Sequence, residues 1–249
     1  MKTRKDGYRE FRSETQPDTL AKLASKHEPP TLMVACSDSR VSPSVVTKAE
    51  LGSLFLVRTA GNTVSPSSRG VHTERFSIIY AVSVLKVREI IVMGHSRCGA
   101  MGALVNPAET KTPEQKKAAA DLEEVTRGLT SHCKPVIDAV RKSKLPKAQL
   151  QSEAARINVQ LQLSRIAKIP CVKEAVAAKT LNLHGWFFEI ETGTMYEADP
   201  KSRKFLPVDW EENEQLLATA SKALETPIRR TASPESQTDA SHASKRTRK

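Results

Sequence analysis

Three short, continuous apolar runs, separated by stretches with helical periodicity, constrain the fold of this chain most strongly. Residues 31–36 (TLMVAC), 53–62 (SLFLVRTAGN) and 89–94 (EIIVMG) each read as a buried strand. Residues 71–87, between the second and third runs, carry an apolar helical face. Continuous apolar strands alternating with helices are typical of a parallel sheet, because the connecting helices cover its faces. The sequence therefore predicts an α/β fold: a mainly parallel β-sheet flanked by helices.

The segments around this predicted sheet carry weaker signals. Residues 18–30 have helical spacing that ends at two prolines, and residues 153–167 form another amphipathic helical pattern. Residues 106–127 are polar and lysine-rich, as expected of helix and loop. Residues 184–199 alternate around a Thr-Gly turn, which predicts a final strand and hairpin at an edge of the sheet.

Charge and composition separate a body from a tail. From about residue 225 the chain is charged, rich in Ser, Thr and Pro, and without periodicity, which predicts one domain over 1–224 and a disordered basic tail over 225–249. The 249 residues carry a formal net charge of +11, which invites a nucleic-acid interpretation. About half of that excess lies near the two ends of the chain, so nucleic-acid binding by the tail is not expected and a solubilising extension is favoured.

Cysteine usage and targeting signals bear on where the chain works. No run of about 18 apolar residues is present, so no membrane association is expected. The basic N-terminus lacks the apolar segment of a secretory signal. Four cysteines occur without a C-x-x-C pair, which favours free thiols or metal thiolates over disulfides. These features together predict a cytoplasmic protein.

Unusual side chains follow two of the predicted strands directly. Cys36 closes the first, in VACSDSR, and His95 and Cys98 follow the third with the spacing H-x-x-C. The carboxyl ends of parallel strands share one edge of a sheet, so the three side chains can converge there. Two thiolates and one imidazole suit zinc, and three protein ligands are typical of a catalytic site with an open position. A structural site with a fourth ligand, from Cys133 or Cys171, is the alternative.

The same motifs carry a resemblance to a known family. C-S-D-S-R followed by G-H-S-x-C-G resembles the β-class carbonic anhydrases, and the similarity extends over residues 7–200, including VRTAGN (57–62) and LHGWFFEIETG (183–193). The resemblance implies a zinc enzyme, a carbonate dehydratase (a lyase), that reversibly hydrates carbon dioxide to bicarbonate and a proton. It also implies an N-terminal helical arm, a C-terminal edge strand and a homodimer or higher homo-oligomer whose active sites lie at the dimer interface.

Carried over residue by residue, the resemblance makes Cys36, His95 and Cys98 the ligands of one zinc ion per chain, and Asp38 and Arg40 a catalytic dyad. Zinc in an open site lowers the pKa of a bound water, so that hydroxide forms near neutral pH. Asp38 would accept a hydrogen bond from that hydroxide, and Arg40 would keep Asp38 ionised and away from the metal. A plain surface ion pair between Asp38 and Arg40 is the alternative.

The resemblance also implies a set of substrate-pocket residues: His27, Phe55, Ala60, Tyr80 and Gly99. His27 departs from the Gln that many members carry, which leaves a surface histidine, a bicarbonate contact and a proton-transfer residue as alternatives. Met33 replaces the Trp of a bicarbonate-inhibited subgroup, which argues against that inhibitory site. Glycines 94 and 99 flank the H-x-x-C turn, where either backbone freedom near the metal or ordinary turn chemistry explains them.

Two competing functions remain open at this point. Hydrolysis of carbonyl sulfide or carbon disulfide would use the same ligands and dyad, so the motifs alone do not distinguish it from carbon dioxide hydration. A basic-tailed binding protein with an incidental enzyme fold is the other alternative, suggested by RRTASPES and KRTRK near the C-terminus.

Overall fold

A six-stranded mixed sheet forms the centre of the molecule. The computed structural model describes residues 2–67, 70, 72–106 and 112–208, with only the backbone described over 113–122. The sheet has the order β2-β1-β3-β4-β5-β6. Its strands are β1 (Thr31–Cys36), β2 (Leu54–Thr59), β3 (Glu89–His95), β4 (Asn182–Glu189), β5 (Thr194–Ala198) and β6 (Phe205–Pro207).

Strand direction divides the sheet into a parallel part and an antiparallel part. β2, β1, β3 and β4 run parallel, whereas β5 and β6 are antiparallel additions beyond β4. The predicted fold class is therefore confirmed. The predicted terminal hairpin is present as β4 and β5, but the edge strand is β6, which the sequence did not predict. β2 forms the opposite edge and is only partly buried, unlike β1, in which every residue is buried.

Two helices precede the first strand, and the others lie in the connections between strands. They are α1 (Arg4–Glu14), α2 (Pro17–Ser25), α3 (Pro43–Val46), α4 (Thr73–Ser83), α5 (Gly99–Val105), α6 (Pro113–Lys142), α7 (Lys147–Ile166) and α8 (Pro170–Ala177), with one 3₁₀ turn at Ala60–Asn62. The predicted helix over 71–87 ends early, at Ser83, because the Leu85 N–H turns back to the Tyr80 carbonyl and Lys86 adopts a φ of 58°. The strand predicted within 53–62, ending in a Gly-Asn turn, is present as β2, and the turn is the 3₁₀ turn at Ala60–Asn62.

The close packing of α7 against the sheet explains one of the glycines. A Cβ atom at Gly94 would lie 2.7 Å from Val159 Cγ2 and 3.3 Å from the Ala155 carbonyl oxygen. The same helix meets Gly185 on β4, where a Cβ would lie 2.7 Å from Leu163 Cδ1. Gly94 is therefore required by helix–sheet packing, which neither the backbone-freedom nor the turn interpretation anticipated. Gly99, in contrast, has no neighbouring atom that would exclude a side chain.

The N-terminal helices form an arm with little contact to the body. Neither α1 nor α2 contributes a buried residue, and Tyr8 and Phe11 on α1 are exposed. A capping box between Thr3 and Asp6 starts α1, so the helix is locally encoded even without packing. Among the described residues, no helix combines the length and the apolar character needed to cross a membrane.

Candidate metal centre

Neighbouring strand ends bring three ligand-type side chains together. β1 and β3 are adjacent and parallel, so Cys36 and His95 close their strands at the same edge of the sheet. Cys98 follows His95 by three residues and occupies the N-cap position of α5. All three are buried, and their ligand atoms lie within 4.8 Å of one another. The predicted convergence at the carboxyl edge of the sheet is therefore present in the structure.

The two cysteines are spaced as a shared cation would require. Their sulfur atoms are 3.9 Å apart. Tetrahedral coordination with zinc–sulfur bonds of about 2.3 Å separates two sulfurs by about 3.8 Å. The hydrogen bond shared by the thiols lowers the pKa of Cys36 to about 4 and raises the pKa of Cys98 above its ordinary value. A cation bound between the two sulfurs would favour the deprotonated form of both thiols.

His95 presents an unused nitrogen to the same space. Its Nδ1 lies 2.8 Å from the Ser96 carbonyl, and since a carbonyl only accepts, Nδ1 carries the proton. Nε2 is then a lone-pair donor, yet it is fully buried and has no hydrogen-bond partner in the described part of the chain. A buried nitrogen without a partner is costly unless it binds something. Together with the two sulfurs, it fits zinc.

Asp38 and Arg40 form a bidentate ion pair beside this cluster. Arg40 Nε donates to Asp38 Oδ1 at 2.9 Å, and Nη2 donates to Oδ2 at 2.6 Å. These hydrogen bonds hold the pKa of Asp38 well below its usual range. Oδ2 lies 3.9 Å from His95 Nε2, so the carboxylate stands at the mouth of the cluster. Only about 16% of the Asp38 side chain is exposed. Arg40 is about half exposed, and the catalytic role of the pair stays a prediction.

Backbone donors and acceptors fix the loops around the cluster. The Gly61 N–H donates to Cys36 Sγ at 3.3 Å, and Gly61 adopts a φ of 67°, which favours glycine. The Arg58 guanidinium donates to the carbonyls of Cys36, Asp38 and Val41. Arg58 thereby holds the turn that carries the dyad. The sequence analysis placed both residues in VRTAGN but assigned them no role.

Glu191 is a further residue that the sequence analysis missed. Its carboxylate accepts from Ser96 Oγ and from Arg97 Nε, each at 2.5 Å. Burial raises the pKa of Glu191, but these two hydrogen bonds outweigh it and leave the pKa lowered. The Arg97 carbonyl, in turn, accepts from Arg40 Nη2 at 2.9 Å. Glu191 therefore holds the turn of Ser96 and Arg97, whose carbonyls accept hydrogen bonds from His95 and Arg40 respectively. Its position in the loop between β4 and β5 gave no local signal.

The predicted pocket residues separate into two groups. Ala60 and Gly99 lie beside the cluster, next in the chain to Gly61 and Cys98 respectively. His27, Phe55 and Tyr80 instead form an aromatic group, with Phe55 centred 6.1 Å from each of the other two rings. Phe55 pairs with Leu32 at the far end of β1, about 13 Å along the strand from Cys36. The role of these three in a substrate pocket stays a prediction.

The remaining cysteines lie elsewhere. Cys133 Sγ is buried against Asn158 Oδ1 at 3.4 Å, and burial raises its pKa to about 11. Cys171, on α8, is partly buried and packs against the hydrophobic core. Neither belongs to the ligand cluster found among the described residues. The alternative of a closed site with a fourth cysteine ligand finds no support in this geometry.

Comparisons with known proteins agree with this arrangement. A family model described as carbonic anhydrase matches residues 31–195. The carbonic anhydrase of Pseudomonas aeruginosa is 38% identical over 210 residues, which cover 81% of this chain and 89% of the relative. The solved structure of the β-carbonic anhydrase CcaA superposes with a TM-score of 0.71 at 28% identity, covering 81% of this chain and 96% of that one. One of two tetrameric β-carbonic anhydrases from Sordaria macrospora gives a TM-score of 0.59 at 25% identity, covering 78% and 92%.

These matches and the strand-end motifs define the class of protein. The chain belongs to the carbonic anhydrase family, and its sheet and its Cys-His-Cys cluster are those of the β class.

Proposed function

We propose that this chain is a zinc-dependent carbonic anhydrase that reversibly hydrates carbon dioxide to bicarbonate and a proton. One observation carries the proposal: the buried Cys36–His95–Cys98 cluster opens onto an ionised Asp38 that is held by Arg40. Three ligands leave one coordination position free for chemistry. We infer that each chain binds one zinc ion through Cys36 Sγ, His95 Nε2 and Cys98 Sγ.

The chain's own residues then divide the work. A zinc ion held here supplies Lewis acidity, which makes a water molecule nucleophilic near neutral pH. Asp38, being ionised, can only accept a hydrogen bond, so it orients the attacking oxygen with a lone pair toward the carbon of carbon dioxide. Arg40 holds both carboxylate oxygens of Asp38 and is itself tied to the Arg97 carbonyl, which keeps the carboxylate from moving onto the metal.

The direct test is stopped-flow hydration of carbon dioxide at pH 8.5 with a pH indicator, on protein whose zinc content has been measured. Fast hydration with about one zinc per chain is the expected result. The same preparation is then offered carbonyl sulfide, with release of hydrogen sulfide as the readout. Sulfide release faster than carbon dioxide hydration would favour the alternative hydrolase, which no feature of the described site supports over hydration.

The pH dependence provides a second test. The pKa of Asp38 lies well below its usual range, and a carboxylate with a depressed pKa stays ionised at every higher pH. Asp38 therefore does not titrate between pH 6 and 9. Two thiolate ligands weaken the Lewis acidity of zinc relative to neutral ligands, so we expect kcat to rise through this range as the nucleophile ionises. Stopped-flow rates that are flat from pH 6 to 9 would contradict this assignment.

Glu191 gives a prediction about the support of the site. Glu191→Gln keeps the size of the side chain but removes the charge that holds Arg97. Loss of such an outer partner typically weakens metal affinity by about 10- to 100-fold. We expect competition with a zinc-binding dye to show a weakening of about tenfold or more. Glu124→Gln, an exposed change on α6, is the matched control and should leave the affinity unchanged.

We also propose that the chain works as a homodimer or larger homo-oligomer. Phe76 on α4 and Val84 directly after it are exposed to 66% and 59%, and the arm formed by α1 and α2 contributes no buried residue. Exposed apolar surface of this kind marks an interface. The group of His27, Phe55 and Tyr80 borders this face through the stacked rings of Phe76 and Tyr80. In an assembly, it would complete the pocket over another copy's metal.

Phe76→Glu tests the interface. A charge placed in the centre of an apolar contact should shift the protein toward monomer in sedimentation velocity and reduce carbon dioxide hydration, because the pocket is then incomplete. Val176→Glu, a comparable change on α8 at a residue exposed to 39%, should leave the assembly intact. A Phe76→Glu protein that sediments like the wild type would remove α4 from the interface.

The free cysteines and the C-terminal tail bear on where the chain works. All four cysteines are free thiols, three of them buried, which suits a reducing compartment, and we infer a cytoplasmic location. The division into a domain over 1–224 and a tail over 225–249 stays a prediction, since the boundary lies outside the described residues. Salt-dependent nucleic-acid binding that disappears on truncation at Glu225 would instead favour the binding-protein alternative.

A further inference from the structure

A cavity away from the candidate metal centre is lined by several positively charged side chains. It has a volume of about 420 Å³ and lies between the loop that follows the 3₁₀ turn, the start of α4, the middle of α6 and the end of α7. Its lining residues are Ser65, Pro66, Arg75, Pro135, Leu161, Ser164, Arg165 and Lys168. Three of the eight are cations, and none is an acid.

The cations of this cavity have no acidic partners. Within the part of the chain that the structure describes, Arg75, Arg165 and Lys168 take part in no ion pair. The carboxylate of Glu74 is nearby and accepts a hydrogen bond from the Ser65 N–H at 2.9 Å, but among the described residues it forms no ion pair with these cations. Like charges that line one cavity without a direct ion-pair partner repel one another, and a bound anion would relieve that repulsion.

Helix electrostatics explains only part of this arrangement. Arg165 and Lys168 lie at the C-terminal end of α7, where cations complement the helix dipole. Arg75 lies in the first turn of α4, where the dipole disfavours a cation. Arg75 is nevertheless partly buried and lines the cavity shared with the other two. Its placement is therefore accounted for by the cavity rather than by its own helix.

Two further features suit an oxyanion. Arg165 is partly buried, and its Nη1 is held in place by the Val64 carbonyl at 3.1 Å and by Gln162 Oε1 at 3.2 Å. Burial lowers the pKa of Arg165. Ser65 is only 3% exposed, and its oxygen accepts from the Ser67 N–H, so its hydroxyl proton is available to a ligand. A fixed guanidinium beside a buried hydroxyl is a donor set that matches phosphate oxygens.

We propose that this cavity is a binding site for a phosphate-class oxyanion, held by Arg75, Arg165 and Lys168 with the Ser65 hydroxyl. The site is separate from the metal centre and does not depend on the proposed hydration. The cavity is several times larger than one phosphate group. It has room for free phosphate or for the phosphoryl group of a small phosphomonoester.

The position of Arg165 decides how the site is tested. Gln162, which Arg165 contacts, donates to Asn158 Oδ1 at 2.7 Å, and Asn158 donates to the Gly61 carbonyl at 2.7 Å. Gly61 in turn donates to Cys36 Sγ. Changing Arg165 would therefore disturb a buried network that reaches the metal centre. Arg75 and Lys168 lie outside this network and are the residues to vary.

The experiment is a calorimetric titration of the zinc-loaded full chain with inorganic phosphate, and separately with glycerol phosphate. We expect saturable binding of one anion per chain. Each of Arg75→Gln and Lys168→Gln should weaken it about tenfold, because each removes a charged hydrogen-bond donor. Lys173→Gln, an exposed lysine on α8, should change nothing. The hydration rate of all three variants should match the wild type, which shows that they are folded.

The outcomes distinguish free phosphate from a phosphomonoester as the ligand, and two of them would overturn the proposal. Tighter binding of glycerol phosphate than of inorganic phosphate would identify a phosphomonoester, and the reverse would identify the free anion. The proposal would be overturned if no saturable binding occurred up to about 10 mM anion, because a specific anion site should bind far more tightly than that. Binding that survives in the Arg75→Gln/Lys168→Gln double variant would also overturn it, because the anion would then lie elsewhere, including at the metal.

Discussion

Cys98→Ser should yield a folded protein that no longer retains zinc and no longer hydrates carbon dioxide measurably above the uncatalysed rate. Loss of an outer partner of a metal ligand already weakens affinity by about 10- to 100-fold, and loss of a thiolate ligand should weaken it by more than that. The remaining pair, Cys36 and His95, leaves two open positions and cannot close the tetrahedral arrangement. Zinc per chain, measured after dialysis, and stopped-flow hydration together check the prediction.

The matched control for this change is Cys171→Ser. Cys171 is a free thiol that is only partly buried and lies outside the ligand cluster. The Cys171→Ser protein should retain one zinc per chain and the full hydration rate. A Cys98→Ser protein that keeps both zinc and activity would show that the metal is held elsewhere, and the assignment of the cluster as the catalytic centre would fail.

Asp38→Asn should keep zinc but lower kcat/KM for hydration by about 10²- to 10³-fold. The range is that expected for a positioned group that orients and accepts from the reacting atoms. Asparagine has nearly the same shape, but it presents an amide donor where the carboxylate only accepts, so the attacking oxygen loses its fixed orientation. The prediction is checked by steady-state hydration rates together with zinc content.

A control variant and a double variant test whether the effect is specific to Asp38 and Arg40. Asp199→Asn alters another carboxylate whose pKa is lowered, but one that is partly exposed and accepts a hydrogen bond from the Ser202 N–H, so hydration should be unaffected. Arg40→Gln should cost nearly as much as Asp38→Asn, and the double variant should cost little more than either, because the two side chains act as one unit. Additive losses would mean that Asp38 and Arg40 act independently.

Much of the fold was predictable because strands buried on both faces of a parallel sheet have continuous apolar sequences. β1 and β3 are continuous apolar runs, and each is flanked by residues that cannot continue it. The convergence of the cysteine and histidine side chains followed from the same logic, since adjacent parallel strands place Cys36 and His95 at one edge of the sheet. The assignment of Asp38 and Arg40 needed the family resemblance, because two charged residues at alternate positions are not diagnostic alone.

What the sequence missed depends on contacts between distant segments. α8 and β6 are short, and their burial is decided by neighbours far along the chain rather than by local periodicity. Gly94 is explained by α7, which begins more than 50 residues later. Glu191 reaches Ser96 across 95 positions, so no local pattern could reveal it. The separation of Phe55 and Tyr80 from the cluster likewise requires the strand register.

The most direct measurement of the central claim is a zinc titration of metal-depleted protein, with stopped-flow hydration at pH 8.5 measured at each point. The account predicts that activity rises in proportion to bound zinc and reaches its plateau at one zinc per chain, and that Asp38→Asn binds the same amount with a much lower plateau. Activity that does not depend on zinc, or zinc binding at one per chain without hydration, would contradict it.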